Sequence, residues 1–70
     1  VEYVEIKEDA GIRKLGGIKS PILLDAKAGE KYLYINEIDE WTCVMNDAGV
    51  KGYIETKYTG NRTKETLLEG

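Results

Sequence analysis

Three short segments between residues 29 and 58 constrain the fold of this chain more than any other part of its sequence. Each is rich in β-branched, aromatic or other apolar residues: 32–36, 41–45 and 51–55. The intervening turns, at 36–40 and 46–49, contain Asn, Asp and Gly, which tolerate the left-handed backbone conformations of tight hairpins. The sequence therefore predicts a three-stranded antiparallel meander at the centre of the chain.

The segments before the meander contain shorter candidate strands. Residues 1–7 alternate, with Val4 and Ile6 on one face, which predicts an edge strand. Residues 12–15 are a second candidate strand, which ends at Gly16-Gly17, and Pro21, which cannot donate a ladder hydrogen bond, is another break. Residues 22–24 are a short apolar run, for which no strand is predicted.

The predicted core takes apolar residues from all these segments. Its members are Val4, Ile6, Ile12, Ile22, Val44, Ile54 and part of the run 32–35. That run is apolar on both faces, and a shift of one residue in strand register exchanges the faces. The pattern therefore leaves open which of its side chains point inward.

The length of 70 residues corresponds to one small domain. A barrel suits so short a chain because it leaves few open strand edges. We assign residues 1–60 to the domain and 61–70 to a linker or disordered tail, since only two leucines in the tail are apolar. Because the chain begins with Val rather than Met, we interpret it as an excised domain or a processed product.

Charge and cysteine content narrow the range of partners. The net charge of −3 argues against nucleic acid, because phosphate binding needs clustered Lys and Arg. No run approaches the roughly 20 apolar residues that span a bilayer, so we expect no membrane insertion. The single cysteine excludes an internal disulfide.

Catalysis is disfavoured by the absence of histidine, the commonest general base. One cysteine without histidine cannot form the usual zinc sets, so Cys43 is expected to be a structural or half-exposed thiol. Asp39 and Glu40 are the remaining acidic pair, and turn residues are often acidic for reasons of solubility. We expect no enzyme activity, no metal and no cofactor.

The aromatic residues are the best candidates for a binding role. One Trp and five Tyr, with no Phe, suit half-wet surfaces because each of these rings carries a polar group. Trp41, Tyr53 and Tyr58 are the leading candidates. The alternative is that Trp41 and Tyr58 mainly cover the ends of a small barrel core, and the two roles are compatible.

Several short motifs, in their order and spacing, give the chain a resemblance to a known family. The motifs are Gly11-Ile12-Arg13, Gly29-Glu30-Lys31-Tyr32, Trp41-Thr42-Cys43-Val44, Gly49, Gly52-Tyr53-Ile54 and Lys57-Tyr58. Together they resemble the bacterial Src homology 3 domain over about residues 4–59. Tyr53 stands where that family usually has Trp, and the usual Arg-Ser-Gly-Pro continuation after Arg13 is replaced.

The resemblance implies a fold and a site. The fold would be all-β, a small, partly open SH3-like barrel of five or six strands, with Tyr32 and Tyr34 at inward positions. A shallow groove would lie between the loops of residues 7–28 and the turn at 36–40. The ligand-binding residues would be Trp41, Tyr53, Tyr58, Tyr34, Asp39 and Glu40.

The resemblance also implies a role. The chain would be a non-catalytic, monomeric binding module that targets a larger secreted or surface bacterial protein to the cell wall, in an extracellular or wall-associated location. Its ligand would be a peptidoglycan peptide or cross-bridge, whose free amines the acidic turn would pair with. The alternative is a protein–protein or intramolecular module that packs on a neighbouring enzyme domain, which the net negative charge suits because wall teichoic polymers are anionic.

Overall fold

The computed structural model describes residues 1–65. These residues form seven strands, which make a single antiparallel sheet, and one 3₁₀ turn. The strands are β1 (Glu2–Ile6), β2 (Ala10–Arg13), β3 (Ile22–Ala26), β4 (Lys31–Ile38), β5 (Trp41–Met45), β6 (Lys51–Glu55) and β7 (Thr59–Lys64). The 3₁₀ turn, Thr56–Tyr58, links β6 to β7. Their order across the sheet is β3-β2-β6-β5-β4-β1-β7.

The predicted central meander is confirmed as β4-β5-β6. Its first strand is longer than expected, because pairing resumes after a bulge between Tyr34 and Asn36 and continues to the Ile38–Trp41 pair. Only Asp39 and Glu40 remain in that turn, with Asp39 in the left-handed region at φ 53°. In the second turn the side chain of Asn46 accepts backbone N–H groups from residues 48 and 50, at 3.0 and 2.8 Å.

The core draws on six strands, from β3 at one end of the sheet to β1 next to the other end, so the sheet must curl around it. Its buried members are Val4, Ile6, Ile12, Ala26, Tyr32, Val44 and Ile54. Ile6 also donates its N–H to the carbonyl of Glu30 and accepts the N–H of Gly29, both at 2.8 Å, which ties β1 to the turn before β4. The expected all-β class and small, partly open SH3-like barrel are confirmed, with seven strands in the described chain rather than five or six.

The structure shows which side chains of the run 32–35, in β4, point inward. Tyr32 is buried in the core and Tyr34 packs partly buried against it, as the family spacing suggested. Cys43, which was expected to be a structural or half-exposed thiol, is buried in β5, so it is not half-exposed.

Two expectations for the flanking strands are wrong. β1 is not an edge strand, because Tyr3 pairs with Leu33 of β4 on one side and with Thr63 of β7 on the other. Ile22 is not a core residue but is exposed. Between the pairs Ile12–Leu24 and Arg13–Ile22, residue 23 is one extra residue, and this bulge turns Ile22 away from the core.

The sheet extends beyond residue 60, into the segment that the sequence analysis assigned to a tail. Within the proposed tail, residues 61–64 belong to β7, residue 65 follows the strand, and residues 66–70 lie outside the described residues. β7 pairs with β1 through its backbone, and Arg62 adds side-chain contacts: its guanidinium lies 4.4 Å from the ring centre of Tyr34 and pairs with Glu2 at 3.7 Å and Glu37 at 3.3 Å. These contacts are polar and leave no apolar pattern in the sequence, so the strand could not be predicted from hydrophobicity.

Candidate functional site

Trp41, the first residue of β5, lies between two adjoining depressions on the surface. The first, with a volume of about 340 Å³, is lined by Asp39, Glu40, Trp41, Glu55, Thr56 and Lys57. The second, with a volume of about 170 Å³, is lined by Asp9, Ala10, Gly11, Arg13, Trp41, Glu55 and Tyr58. Because both share Trp41 and Glu55, we treat them as one surface and call it the Trp41 groove.

The meander fixes the centre of the groove. Trp41 is directly opposite Glu55 in the β5–β6 register, so the two side chains lie side by side on the same face of the sheet. The backbone N–H of Thr56 donates to the carbonyl of Glu40 at 2.8 Å, and the hydroxyls of Thr42 and Thr56 are 2.8 Å apart. These bonds hold the Asp39–Glu40 turn against the 3₁₀ turn.

The loop between β2 and β3 closes against the tryptophan. A Cβ atom built on Gly16 would lie 3.3 Å from Cγ of Trp41, so the loop backbone packs directly on the indole. The loop is held in shape by Ser20, whose carbonyl accepts a hydrogen bond from Arg13 Nη1 at 2.8 Å and whose hydroxyl accepts one from the N–H of Leu15, also at 2.8 Å. Trp41 therefore both supports this loop and lines the groove.

The groove is acidic. Four carboxylates line it, those of Asp9, Asp39, Glu40 and Glu55, against the two bases Arg13 and Lys57. Lys57 Nζ lies 3.4 Å from Glu55 Oε2, and this hydrogen bond and ion pair raise the pKa of Lys57 above its usual value. Asp9 pairs more loosely with Lys27, at 3.9 Å.

Asp39 and Glu40 remain available to a ligand. Neither carboxylate forms an ion pair within residues 1–65. Nor do three or more Asp, Glu or Cys side chains of the described chain meet in an arrangement that holds a metal ion. The arrangement offers a half-buried indole next to unpaired carboxylates, which suits a cationic group.

The structure brings together four of the six predicted ligand-binding residues. Trp41, Asp39 and Glu40 line the first depression, and Tyr58 lines the second. Tyr53 is on the same face of the sheet as Trp41 but two residue pairs away, opposite Cys43, and it does not line the groove. Tyr34 is separate from the groove, against the core and beneath the guanidinium of Arg62.

Sequence reasoning missed Glu55 and the second wall of the groove. Glu55 is the acid at the centre, shared by both depressions. Its place opposite Trp41 follows from counting back along the β5–β6 hairpin from the Met45–Lys51 pair. Arg13 had no such signal, because β2 lies far from β6 in the sequence and the register joins the two strands at Arg13–Tyr53 alone.

Comparison of the chain with family models, with curated proteins and with solved structures found no match. Across residues 1–65, no helix has the length and apolar character needed to cross a membrane.

Proposed function

We propose that the chain is a non-catalytic binding module that uses the Trp41 groove to recognise a cationic group on an extended ligand. This proposal rests on the Trp41 indole, which is opposite Glu55 and lines one depression with the unpaired carboxylates of Asp39 and Glu40. An ammonium group gains from the face of an indole and from a nearby carboxylate at once.

We infer that the ligand is a peptidoglycan peptide or cross-bridge with a free amine. The motifs between residues 29 and 58, which resemble the bacterial Src homology 3 domain, support this choice and also support a secreted or wall-associated parent protein. The groove is open and small, at about 340 Å³ in its larger part, so it suits one or two residues of a polymer.

Affinity for one site is expected to be low. A cation–π contact at an exposed site contributes about 0.5–1 kcal/mol, and an exposed ion pair contributes about as much. A wall polymer presents the same group many times close together, which raises the effective concentration. Such a module therefore suits retention on a surface more than capture of a free molecule.

The test is co-sedimentation of the purified domain with peptidoglycan stripped of teichoic polymers. Trp41→Ala removes the indole, and Asp39→Asn with Glu40→Gln removes two charges from the groove. Asp25→Asn with Asp47→Asn makes the same charge change at exposed positions outside its lining. We expect the groove variants to lose binding and the control variant to keep it, with circular dichroism confirming that all are folded.

Tyr53→Ala refines the position of the ligand. Tyr53 lies two residue pairs beyond Trp41 on the same face, so its loss should weaken binding only if the ligand extends along the β5–β6 hairpin. Equal binding by wild type and by the Asp39/Glu40 variant would refute the role of the acidic turn.

The second candidate is that the same groove packs on a neighbouring protein domain. The net charge of −3 favours it, because intact walls carry anionic polymers that repel an acidic domain. A wild-type domain that fails to sediment with stripped peptidoglycan would exclude the first proposal and leave this one.

A further inference from the structure

The β2–β3 hairpin carries apolar side chains that remain exposed next to the core. Leu15, Ile18, Ile22 and Leu23 are 64%, 69%, 53% and 43% exposed. These four make up half of the large exposed hydrophobic residues in the described chain, and they lie within nine consecutive positions. Single exposed apolar residues are ordinary, but a cluster of them indicates an interaction surface. We call these four residues the hairpin patch.

The segment that contains the hairpin patch also has the opposite net charge to the rest of the protein. Residues 10–28 hold four bases and one acid, whereas the remaining positions hold six bases and twelve acids. Lys14 and Lys19 flank the exposed Leu15 and Ile18, and neither lysine forms an ion pair within the described residues. A basic, apolar surface on an acidic domain is complementary to a partner that is acidic and apolar.

The backbone adds a third feature. β3 pairs with β2 on one side and has no strand on the other among residues 1–65, so the outward N–H and C=O groups of Ile22–Ala26 are open. An extended peptide can satisfy such an edge by adding one strand. A lipid surface cannot, because unpaired backbone groups cost several kcal/mol in hydrocarbon.

We propose that the hairpin patch binds an extended segment of a partner protein in which apolar and acidic residues alternate. The segment adds to the β3 edge, its apolar side chains cover Ile22 and Leu23, and its carboxylates pair with Lys14 and Lys19. The bulge at Leu23 breaks the regular edge, which restricts pairing to one short segment and opposes open-ended sheet growth. This surface is distinct from the carboxylates of the Trp41 groove, so the domain can hold both ligands.

The test starts from short random peptides displayed on phage, selected on immobilised wild-type domain and counter-selected on the Lys14→Glu/Lys19→Glu variant. We expect enrichment of peptides that alternate apolar and acidic residues. Titration of the ¹⁵N-labelled domain with an enriched peptide should shift the amide signals of β3 and of residues 14–19. Lys14→Glu/Lys19→Glu should weaken the affinity about tenfold or more, and the matched Lys31→Glu/Lys51→Glu control by less than about twofold.

Several outcomes would overturn the proposal. Two results would each exclude the strand-addition site. One is a phage selection that enriches no acidic sequence, and the other is a set of amide shifts centred on Trp41 rather than on β3. Sedimentation with phosphatidylserine vesicles that Ile18→Ser abolishes would assign the patch to a lipid surface. Self-association that Lys14→Glu/Lys19→Glu abolishes would assign it to a second copy of the chain. Asp39→Asn/Glu40→Gln should leave peptide affinity unchanged, so a failure here is distinguishable from a failure of the proposed function.

Discussion

Gly52 is the position at which a single methyl group should test the packing of this barrel. It is buried in β6, next to Tyr53, which pairs with Arg13 of β2. A Cβ atom built there would lie 2.6 Å from Cγ2 of Ile12 and 2.8 Å from the carbonyl oxygen of Arg13. Neither neighbour can yield easily, because Ile12 is fully buried and the second contact is backbone.

The expected magnitude follows from two opposing effects. Overpacking a close-fitting core costs about 1–3 kcal/mol, and relieving the clash requires β2 to move away from β6. Removing a glycine from a strand restores about 0.5–1 kcal/mol through the unfolded state. We therefore expect Gly52→Ala to lower the free energy of unfolding by about 1–2 kcal/mol net, which in a domain of this size lowers the melting temperature by about 5–15 °C.

Thermal and urea unfolding followed by circular dichroism would measure this loss. Gly17→Ala is the matched control, because a Cβ atom there meets nothing within 4 Å. Ile12→Leu moves the branch off Cβ, so the double variant Ile12→Leu/Gly52→Ala should lose less than the sum of the two single changes. A Gly52→Ala domain that unfolds at the wild-type midpoint would refute the close approach of β2 and β6.

Two further predictions concern Tyr32 and Arg62. Burial, with the nearby Glu30 carboxylate, raises the pKa of Tyr32 above its ordinary 10.0, so the folded state keeps the proton that the unfolded chain loses. The contribution of Tyr32 to the free energy of unfolding is complete below pH 10.0 and falls as the pH rises beyond it. Tyr32→Phe should therefore lessen the decline of the urea midpoint at alkaline pH. Equal declines in the wild type and in the variant would contradict this prediction. Arg62→Ala should cost about 0.5–1.5 kcal/mol, because it removes the stacking on Tyr34 and the pairs with Glu2 and Glu37. Arg62→Lys keeps the charge and should cost less, and an unchanged midpoint for Arg62→Ala would show that β7 is held by its backbone alone.

The two end strands of the sheet, β7 and β3, have features that the local sequence pattern does not reveal. β7 has six consecutive residues without a buried side chain, so hydrophobic alternation could not reveal it. It forms because β1 presents an open ladder and because Arg62 reaches Tyr34 on another strand. The prediction that Ile22 is a core residue was wrong for a related reason. One extra residue in β3 reverses the face that its side chain occupies, and the sequence pattern does not reveal this bulge.

The meander follows from local sequence alone, because its strands are short, rich in β-formers and separated by turns whose Asn, Asp and Gly residues favour tight reversal. Most of the core also follows from the sequence, since Val4, Ile6, Ile12, Val44 and Ile54 were predicted as core residues from their apolar character and are all buried. The site depends on the folded structure. Glu55 lies beside Trp41 because of the hairpin register, and Asp9 and Arg13 line the same groove because β2 pairs with β6 in the sheet. A contact between strands so far apart in sequence depends on the packing of the core as a whole and not on any one segment.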